Sequence, residues 1–372
     1  MSFMSSISEK TLYKDFPTIL HPFLNEIFEN KKYLAKKIKN YLLNLSERKH
    51  LKSRLKSYPH NLVSDPTNIC NLRCPLCPTW QDREGRPKGR MSRELFRTLI
   101  DEAGPYLFTL NLCNWGEPLL NPELPEMIAY AKNYNTVVGF STNLNTLSES
   151  TAEAIAGSGL DVMVISLDGA SVDTYSKYRR GGSFEAVIEN IERLLAFKKE
   201  GQKFPLLIWQ FLVNKYNEKE IQTAKAMAEK KGAYFLPSPM RTSMGKELLL
   251  PLHERIREMK EWLPENPLYN KYPYEITPET RTQQKTCKWL WTTAVVNWDG
   301  SVSPCCGVFE KSWVFGTFSE GRRFHDVWNT ERYLIARKMV GDFIKNTKRF
   351  EYPDSYEELI CSKCIRYGFL ED

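Results

Sequence analysis

Past Tyr58-Pro59 the chain settles into a repeat of short apolar runs separated by stretches in which apolar residues return every three or four positions. The runs at Leu62 to Ser64, Phe108 to Cys113, Val137 to Ser141, Val162 to Ser166 and Leu206 to Val213, with a shorter one at Tyr234 to Leu236, predict buried strands. Between them Arg93 to Glu102, Leu124 to Asn133, Ser148 to Gly157, Phe184 to Lys199 and Lys219 to Lys231 predict helices. Strand and helix in strict alternation predict an α/β fold built on a parallel sheet, here a partial (β/α)6 TIM-like barrel.

The flanks read differently. From Phe16 to Lys56 the positions Phe16, Ile19, Leu20, Phe23, Leu24, Ile27 and Phe28, then Leu34, Ile38, Tyr41, Leu42 and Leu45, form an apolar helical stripe. Residues 240–284 carry five prolines, many charges and no alternation, which suits a connector or a cover over a substrate. Further on, Asp299-Gly300 between Val295-Val296-Asn297-Trp298 and Ser301-Val302 predicts a two-residue hairpin turn. The expected domains are a basic helical segment (1–57), the barrel (58–240), the connector (241–284) and a small C-terminal α+β cluster-binding domain (285–372).

Charge sharpens one of these. The net charge of the 372 residues is +7, and ten Lys/Arg against two Asp/Glu between Glu29 and Lys56 already give +8. Such a helix could meet an anionic surface or an acidic partner, or simply carry a solvated face. An apolar content of 42% supports a large core and excludes a disordered or fibrous chain. Met1 to Lys10 shows no basic start leading into an apolar core, and no run is long enough to span a bilayer, so a soluble, cytoplasmic protein with reduced thiols is expected.

Three of the nine cysteines, Cys70, Cys74 and Cys77, sit on one proline-bracketed loop after the first strand at C-x3-C-x2-C spacing. Zinc usually takes four N/S ligands, and no fourth lies nearby, whereas a cubane cluster can be held by three cysteines with one iron left open. At this point the chain resembles the radical SAM enzymes. The resemblance implies a [4Fe–4S] cluster on Cys70, Cys74 and Cys77 whose open iron chelates S-adenosylmethionine, reductive cleavage to a 5'-deoxyadenosyl radical, and an electron donor such as flavodoxin or ferredoxin. The residue before the third cysteine, often aromatic in the family, is here Leu76.

The later strand ends extend the likeness. Gly116-Glu117-Pro118, about 40 residues after the loop, resembles the family's G-E-P element at the methionine ammonium. Ser141 and Asn143 resemble its ribose contacts. Ser166, with Arg179 or Arg180, resembles the pair that holds the carboxylate, a match for a guanidinium fork. Gln210 would face the barrel interior. Cys287, Cys305, Cys361 and Cys364 around the hairpin resemble the SPASM/twitch extension and imply one auxiliary [4Fe–4S] cluster, nearer to the single-cluster twitch form.

Cys113 and Cys306 are then left over as candidate hydrogen donors, a thiol being what an epimerase needs. The expected chemistry leans to dehydrogenation or epimerisation of a sugar or polyol, free or in a glycan. Alternatives are a peptide-modifying enzyme of the ribosomal-peptide or sulfatase-maturing kind, and a non-enzymatic zinc or iron–sulfur scaffold that binds nucleic acid.

Overall fold

Six parallel strands stand where the apolar runs predict them: β1 (Asn61–Ser64), β2 (Thr109–Asn111), β3 (Val137–Thr142), β4 (Val162–Ser166), β5 (Leu206–Val213) and β6 (Tyr234–Pro239). The structure, a computed structural model, describes residues 21–81, 85–240, 260–269, 287–345 and 359–367. Two N-terminal helices, α1 (His21–Glu29) and α2 (Leu34–Lys49), precede the sheet, and a short α3 (Pro78–Gln81) follows the cysteine loop. The crossover helices are α4 (Arg93–Ala103), α5 (Leu124–Lys132), α6 (Glu149–Gly157), the pair α7 (Val172–Tyr178) and α8 (Phe184–Leu195), and α9 (Ile221–Lys230). Serine side chains cap α4, α6, α7 and α8 by accepting from the amides of Leu95, Thr151, Thr174 and Ala186, which fixes where each helix starts.

The sheet does not stop at β1. A short α10 (Trp289–Thr292) leads into β7 (Thr293–Val296), which pairs parallel with β1, Leu62 opposite Ala294, and then β8 (Ser301–Ser303) and β9 (Gly316–Thr317) add antiparallel. The order is β6-β5-β4-β3-β2-β1-β7-β8-β9, so the hairpin read as part of a separate small domain continues the barrel sheet. Its turn also differs from the expected two-residue loop. Asn297 to Gly300 all lie between the strands, Gly300 N–H bonds to Asn297 O at 2.9 Å, and Gly300 sits at φ +78°, where a Cβ would lie 2.2 Å from Phe318 O. Three helices complete the C-terminal part: α11 (Phe324–Val327), α12 (Glu331–Lys345) and α13 (Ile360–Tyr367).

The N-terminal helices close the lower end of the barrel. On α1 the predicted stripe holds, with Leu24 and Ile27 buried against Phe108 and Val137 at the starts of β2 and β3. On α2 it does not. Lys37, Asn40, Tyr41, Asn44 and Glu47 are buried, while Leu42 is 44% and Leu43 37% exposed. The reason is polar satisfaction: Lys37 Nζ donates to the carbonyls of Gly104 and Leu107, Asn44 Nδ2 donates to Trp291 O at 2.6 Å, and Glu47 accepts from the Lys56 amide at 2.6 Å. Burial drives the Lys37 ammonium well below the ordinary lysine range. The helix thus braces barrel and C-terminal part together, with Lys36, Lys39 and Lys49 outward. Residues 1–20, part of the predicted stripe, and most of the connector lie outside the described residues. No helix among the described residues is long and apolar enough to cross a membrane.

Candidate active site

The carboxyl ends of the strands open into a cavity of about 640 Å³. Its wall is polar where the sheet faces it: Asn111 on β2, Ser141 on β3, Ser166 and Gln210, register partners on β4 and β5, and Ser238 on β6. Parallel pairing forces this arrangement, because every second residue of each strand points to the same face.

Cys70, Cys74 and Cys77 line one end of the cavity together with Leu72 and Leu76. The loop is held by local bonds, Cys77 N–H to Cys74 O at 3.1 Å and Arg73 N–H to Arg180 O at 2.8 Å. Leu72, Tyr178, Met240, Trp262 and Leu263 pack around it, so the described piece of the connector covers the cysteine loop. Burial pushes the Cys70 thiol up to about 12 and the Cys74 thiol to about 11. Alone, then, the Cys70 and Cys74 sulfurs stay protonated. A group that carries iron would supply the missing positive charge, and three thiols on one loop lining one cavity are the donors such a group takes. Among the described residues no three His, Cys, Asp or Glu side chains are gathered closely enough to hold a lone metal ion.

Gly116-Glu117 forms the adjoining wall. A Cβ on Gly116 would sit 1.9 Å from Thr67 O, so only glycine allows this turn to lie against the strand that leads to the cysteines. The Glu117 carboxylate is 2% exposed and already engaged: it accepts from Thr142 Oγ1 at 2.6 Å, Asn143 N at 2.7 Å and Leu119 N at 3.2 Å. Burial raises its pKa, and these donors oppose the rise. Pro118 is absent from the cavity wall and starts a 3-10 turn, Pro118–Leu120.

Asn143 lies beside the cysteine loop, its Nδ2 donating to Asn71 Oδ1 at 2.9 Å and reaching Cys70 Sγ at 3.8 Å. Of the two candidate arginines, Arg179 lines the cavity and Arg180 does not. Arg179 Nε donates to Asp168 Oδ2 at 2.6 Å and its Nη1 approaches Cys74 Sγ at 3.9 Å. Burial opposes the charge, yet the Asp168 carboxylate outweighs it and holds the guanidinium charged well above the ordinary range. Asp168 in turn accepts from Leu212 N at 2.8 Å, fixing the arginine to β5.

Both leftover cysteines reach this cavity. Cys113 stands at the end of β2, its thiol pushed well up by burial, then by the charges of Asp65 and Glu117. Cys306 enters from the loop after β8, and Trp289 lines the same cavity. Its neighbour Cys305 belongs elsewhere: Cys361, whose thiol is driven far up by burial, feels Cys287 and Cys305 nearby, and Cys364 lies one turn along α13. The second cysteine set is therefore gathered inside the C-terminal part. Trp115 Nε1 to Val308 O at 3.0 Å and Arg86 Nη2 to Ser301 Oγ at 3.1 Å lock that part to the cavity wall.

Three residues of the site are not singled out by the sequence reading. Asp65 is fully buried and accepts from the amides of Asn114 and Trp115 at 3.2 and 3.4 Å, tying the end of β1 to the turn before Gly116. Its position directly after a predicted strand is the available signal, as it is for Asp168. Trp289 gives none.

Comparison with known proteins follows the same division. Residues 64–226 match the radical SAM superfamily, and residues 287–365 match SPASM, an iron–sulfur cluster-binding domain. A tungsten-containing aldehyde ferredoxin oxidoreductase cofactor-modifying protein of Pyrococcus furiosus is 27% identical over 333 residues, 82% of this chain and 86% of its own. The mycofactocin maturase MftC of Mycobacterium ulcerans is 28% identical over 210 residues, 55% of each chain. Among solved structures, Streptococcus suis SuiB bound to precursor peptide SuiA shares the fold with a TM-score of 0.53 at 16% identity, covering 91% of this chain and 75% of that one.

Proposed function

This chain is a radical SAM protein with a SPASM-type iron–sulfur domain, and from that premise we propose that it is a maturase which modifies a peptide by radical chemistry. Its cofactors are an S-adenosylmethionine-binding [4Fe–4S] cluster and auxiliary iron–sulfur ligation, with S-adenosylmethionine as co-substrate. When bound, they supply a 5'-deoxyadenosyl radical able to remove a hydrogen atom from the substrate.

One observation carries the choice of substrate. About 640 Å³ suits one drug-sized ligand. A cluster and S-adenosylmethionine account for that room, so the third reactant presents a single group to the wall lined by Ser238, Met240, Trp289 and Cys306 instead of being enclosed. A side chain offered from an extended peptide fits this better than a free sugar. The relatives named as a cofactor-modifying protein and a maturase support a role in maturation, and they give the expected lean toward a sugar or polyol no backing. The nucleic-acid scaffold is set aside as well, since the family is one of enzymes.

The chain's own residues divide the work. Cys70, Cys74 and Cys77 hold the first cluster, and Cys287, Cys305, Cys361 and Cys364 the auxiliary one. Gly116, Ser141, Asn143, Ser166 and Arg179 position S-adenosylmethionine, with Asp168 orienting the guanidinium toward a carboxylate. The Leu72, Tyr178, Trp262 and Leu263 collar excludes water. Cys113 and Cys306 stand at the cavity wall where a thiol could return a hydrogen atom.

The test is anaerobic reconstitution followed by incubation with dithionite and S-adenosylmethionine. About eight iron per chain, 5'-deoxyadenosine, and a mass change on a peptide encoded beside the gene are expected. Stoichiometric zinc with no 5'-deoxyadenosine would sink the reading. Cys113→Ala and Cys306→Ala in heavy water resolve the outcome: deuterium in the wild-type product that one variant abolishes marks that thiol as the donor, and its absence from wild-type product excludes both.

A further inference from the structure

Arg337, in the middle of α12, is fully buried, and every bond its guanidinium makes among the described residues ends on a neutral carbonyl oxygen. Nε donates to Leu290 O at 2.7 Å, Nη1 to Ser53 O at 3.0 Å and Nη2 to Trp328 O at 2.8 Å, and the rings of Trp328 and Tyr333 lie 4.5 and 4.8 Å away. The carboxylate that acts on it is Glu47, already engaged by Lys56 N, Ser57 N and Ser57 Oγ. Burial lowers the Arg337 pKa to about 9, which leaves the side chain charged at neutral pH. A buried cation held only by neutral groups is costly unless a negative group offsets it. The contacts of Arg337 lead to the second cysteine set. Leu290, on α10, follows Cys287 by three residues. Tyr333, one turn before Arg337, donates from its hydroxyl to Ser303 O at 3.1 Å, just ahead of Cys305, and besides Arg337 the charges that bear on this hydroxyl are those of Cys361 and Cys305. All four cysteines, Cys364 included, pack against the core that holds Tyr333.

We propose that the fixed charge of Arg337 offsets the thiolate-bound iron of the C-terminal part and raises the potential at which that group takes an electron, while Tyr333 ties the Cys305 segment to the same helix. The proposal rests on the reading of Cys287, Cys305, Cys361 and Cys364 as auxiliary ligands, and adds what sets the potential of the group they hold. An iron–sulfur group on four thiolates is net negative, and reduction adds one more negative charge, so a nearby cation favours the reduced form. A higher potential makes the group a better electron acceptor. Bonds from one helix to the segments that carry Cys287 and Cys305 also keep the cation at a fixed distance from the ligands.

The test uses the full chain, reconstituted anaerobically in a Cys70→Ala/Cys74→Ala/Cys77→Ala parent so that only auxiliary iron is titrated. It reads the midpoint potential by electron paramagnetic resonance, together with iron content and melting temperature. Arg337→Gln is expected to lower the ratio of reduced to oxidised cluster at the parent's midpoint about tenfold, a shift of about 59 mV to the negative. Arg337→Lys keeps the charge: at about pH 6 its midpoint stays with the parent although its melting temperature falls, and at about pH 9 it drops toward the Arg337→Gln value as a buried lysine gives up its proton. Tyr333→Phe keeps the parent's midpoint and loses part of the auxiliary iron. A merely structural arginine would lower the melting temperature in both Arg337 variants and leave the midpoint of the bound iron unmoved; that result overturns the proposal, as does an Arg337→Lys midpoint that matches Arg337→Gln at both pH values. Where Arg337→Gln takes up no iron, Arg337→Lys decides alone: a fall with pH that the parent does not share supports the proposal, and a midpoint level with the parent throughout overturns it. A parent that takes up no iron overturns the auxiliary-cluster reading and the proposal with it, whereas an unmoved midpoint leaves that reading intact.

Discussion

The two cysteine sets solve opposite problems. Cys70, Cys74 and Cys77 fall within eight residues on one loop at the open end of the barrel, and their sulfurs face a cavity. Cys287, Cys305, Cys361 and Cys364 come from three separate segments, and Cys361 is packed against the core near Tyr333. A cluster on the loop would take a small co-substrate on its free side; one enclosed by all four of the later cysteines would only exchange electrons or hold the chain together. The difference also predicts which set matters to stability, since a cross-link that closes long loops removes more freedom from the unfolded chain than one that closes a short loop.

Paired ligand removals test that contrast most strongly. Cys74→Ala is expected to abolish 5'-deoxyadenosine formation and to leave most of the thermal stabilisation gained on reconstitution. Cys361→Ala is expected to lose auxiliary iron and at least about 5 °C of that gain. Anaerobic calorimetry with iron counting checks both, and equal losses of melting temperature would break the distinction.

Gly116→Ala bears on the loop side alone. The new Cβ would force the turn away from Thr67 O, so S-adenosylmethionine cleavage should fall about 10- to 100-fold. Iron content and melting temperature should stay near wild type; a matching loss of iron would mean that the turn supports the cluster rather than the co-substrate.

The smallest effect concerns Asp65, which burial raises to about 7 despite the bonds from Asn114 and Trp115. Unfolded, the carboxyl ionises near pH 4, so between about pH 4 and 7 the native state binds the extra proton and stability falls as pH rises. In metal-free protein, Asp65→Asn should therefore gain on wild type by about 1 kcal/mol from pH 6 to pH 7 in urea titrations. A difference that shrinks over that range would show the carboxylate to be stabilised in place.

Much of the fold is legible in the order of residues alone. The six barrel strands, the serine-capped helices and the C-x3-C-x2-C loop each depend on residues a few positions apart, and local sterics and periodicity act at that range. Ser141, Asn143, Ser166 and Gln210 are readable for the same reason, because strand phase decides which residues face the barrel. Even the choice of Gly116 follows from a local turn, although only the approach of Thr67 says why no other residue fits.

Tertiary structure decided what depends on distant partners. Sequence period puts Leu42 on the inner face of α2 beside Tyr41 and Leu45, but the carbonyls of Gly104, Leu107 and Trp291 require donors, so Lys37 and Asn44 share the buried side with Tyr41 and Leu42 turns out. The hairpin is visible as a turn, yet its docking beside β1, some 230 residues away in the chain, is a matter of edge hydrogen bonds that no local pattern encodes. The same docking turns Cys306 into the cavity that holds Cys70, Cys74 and Cys77, and so joins the two halves of the chain at one site.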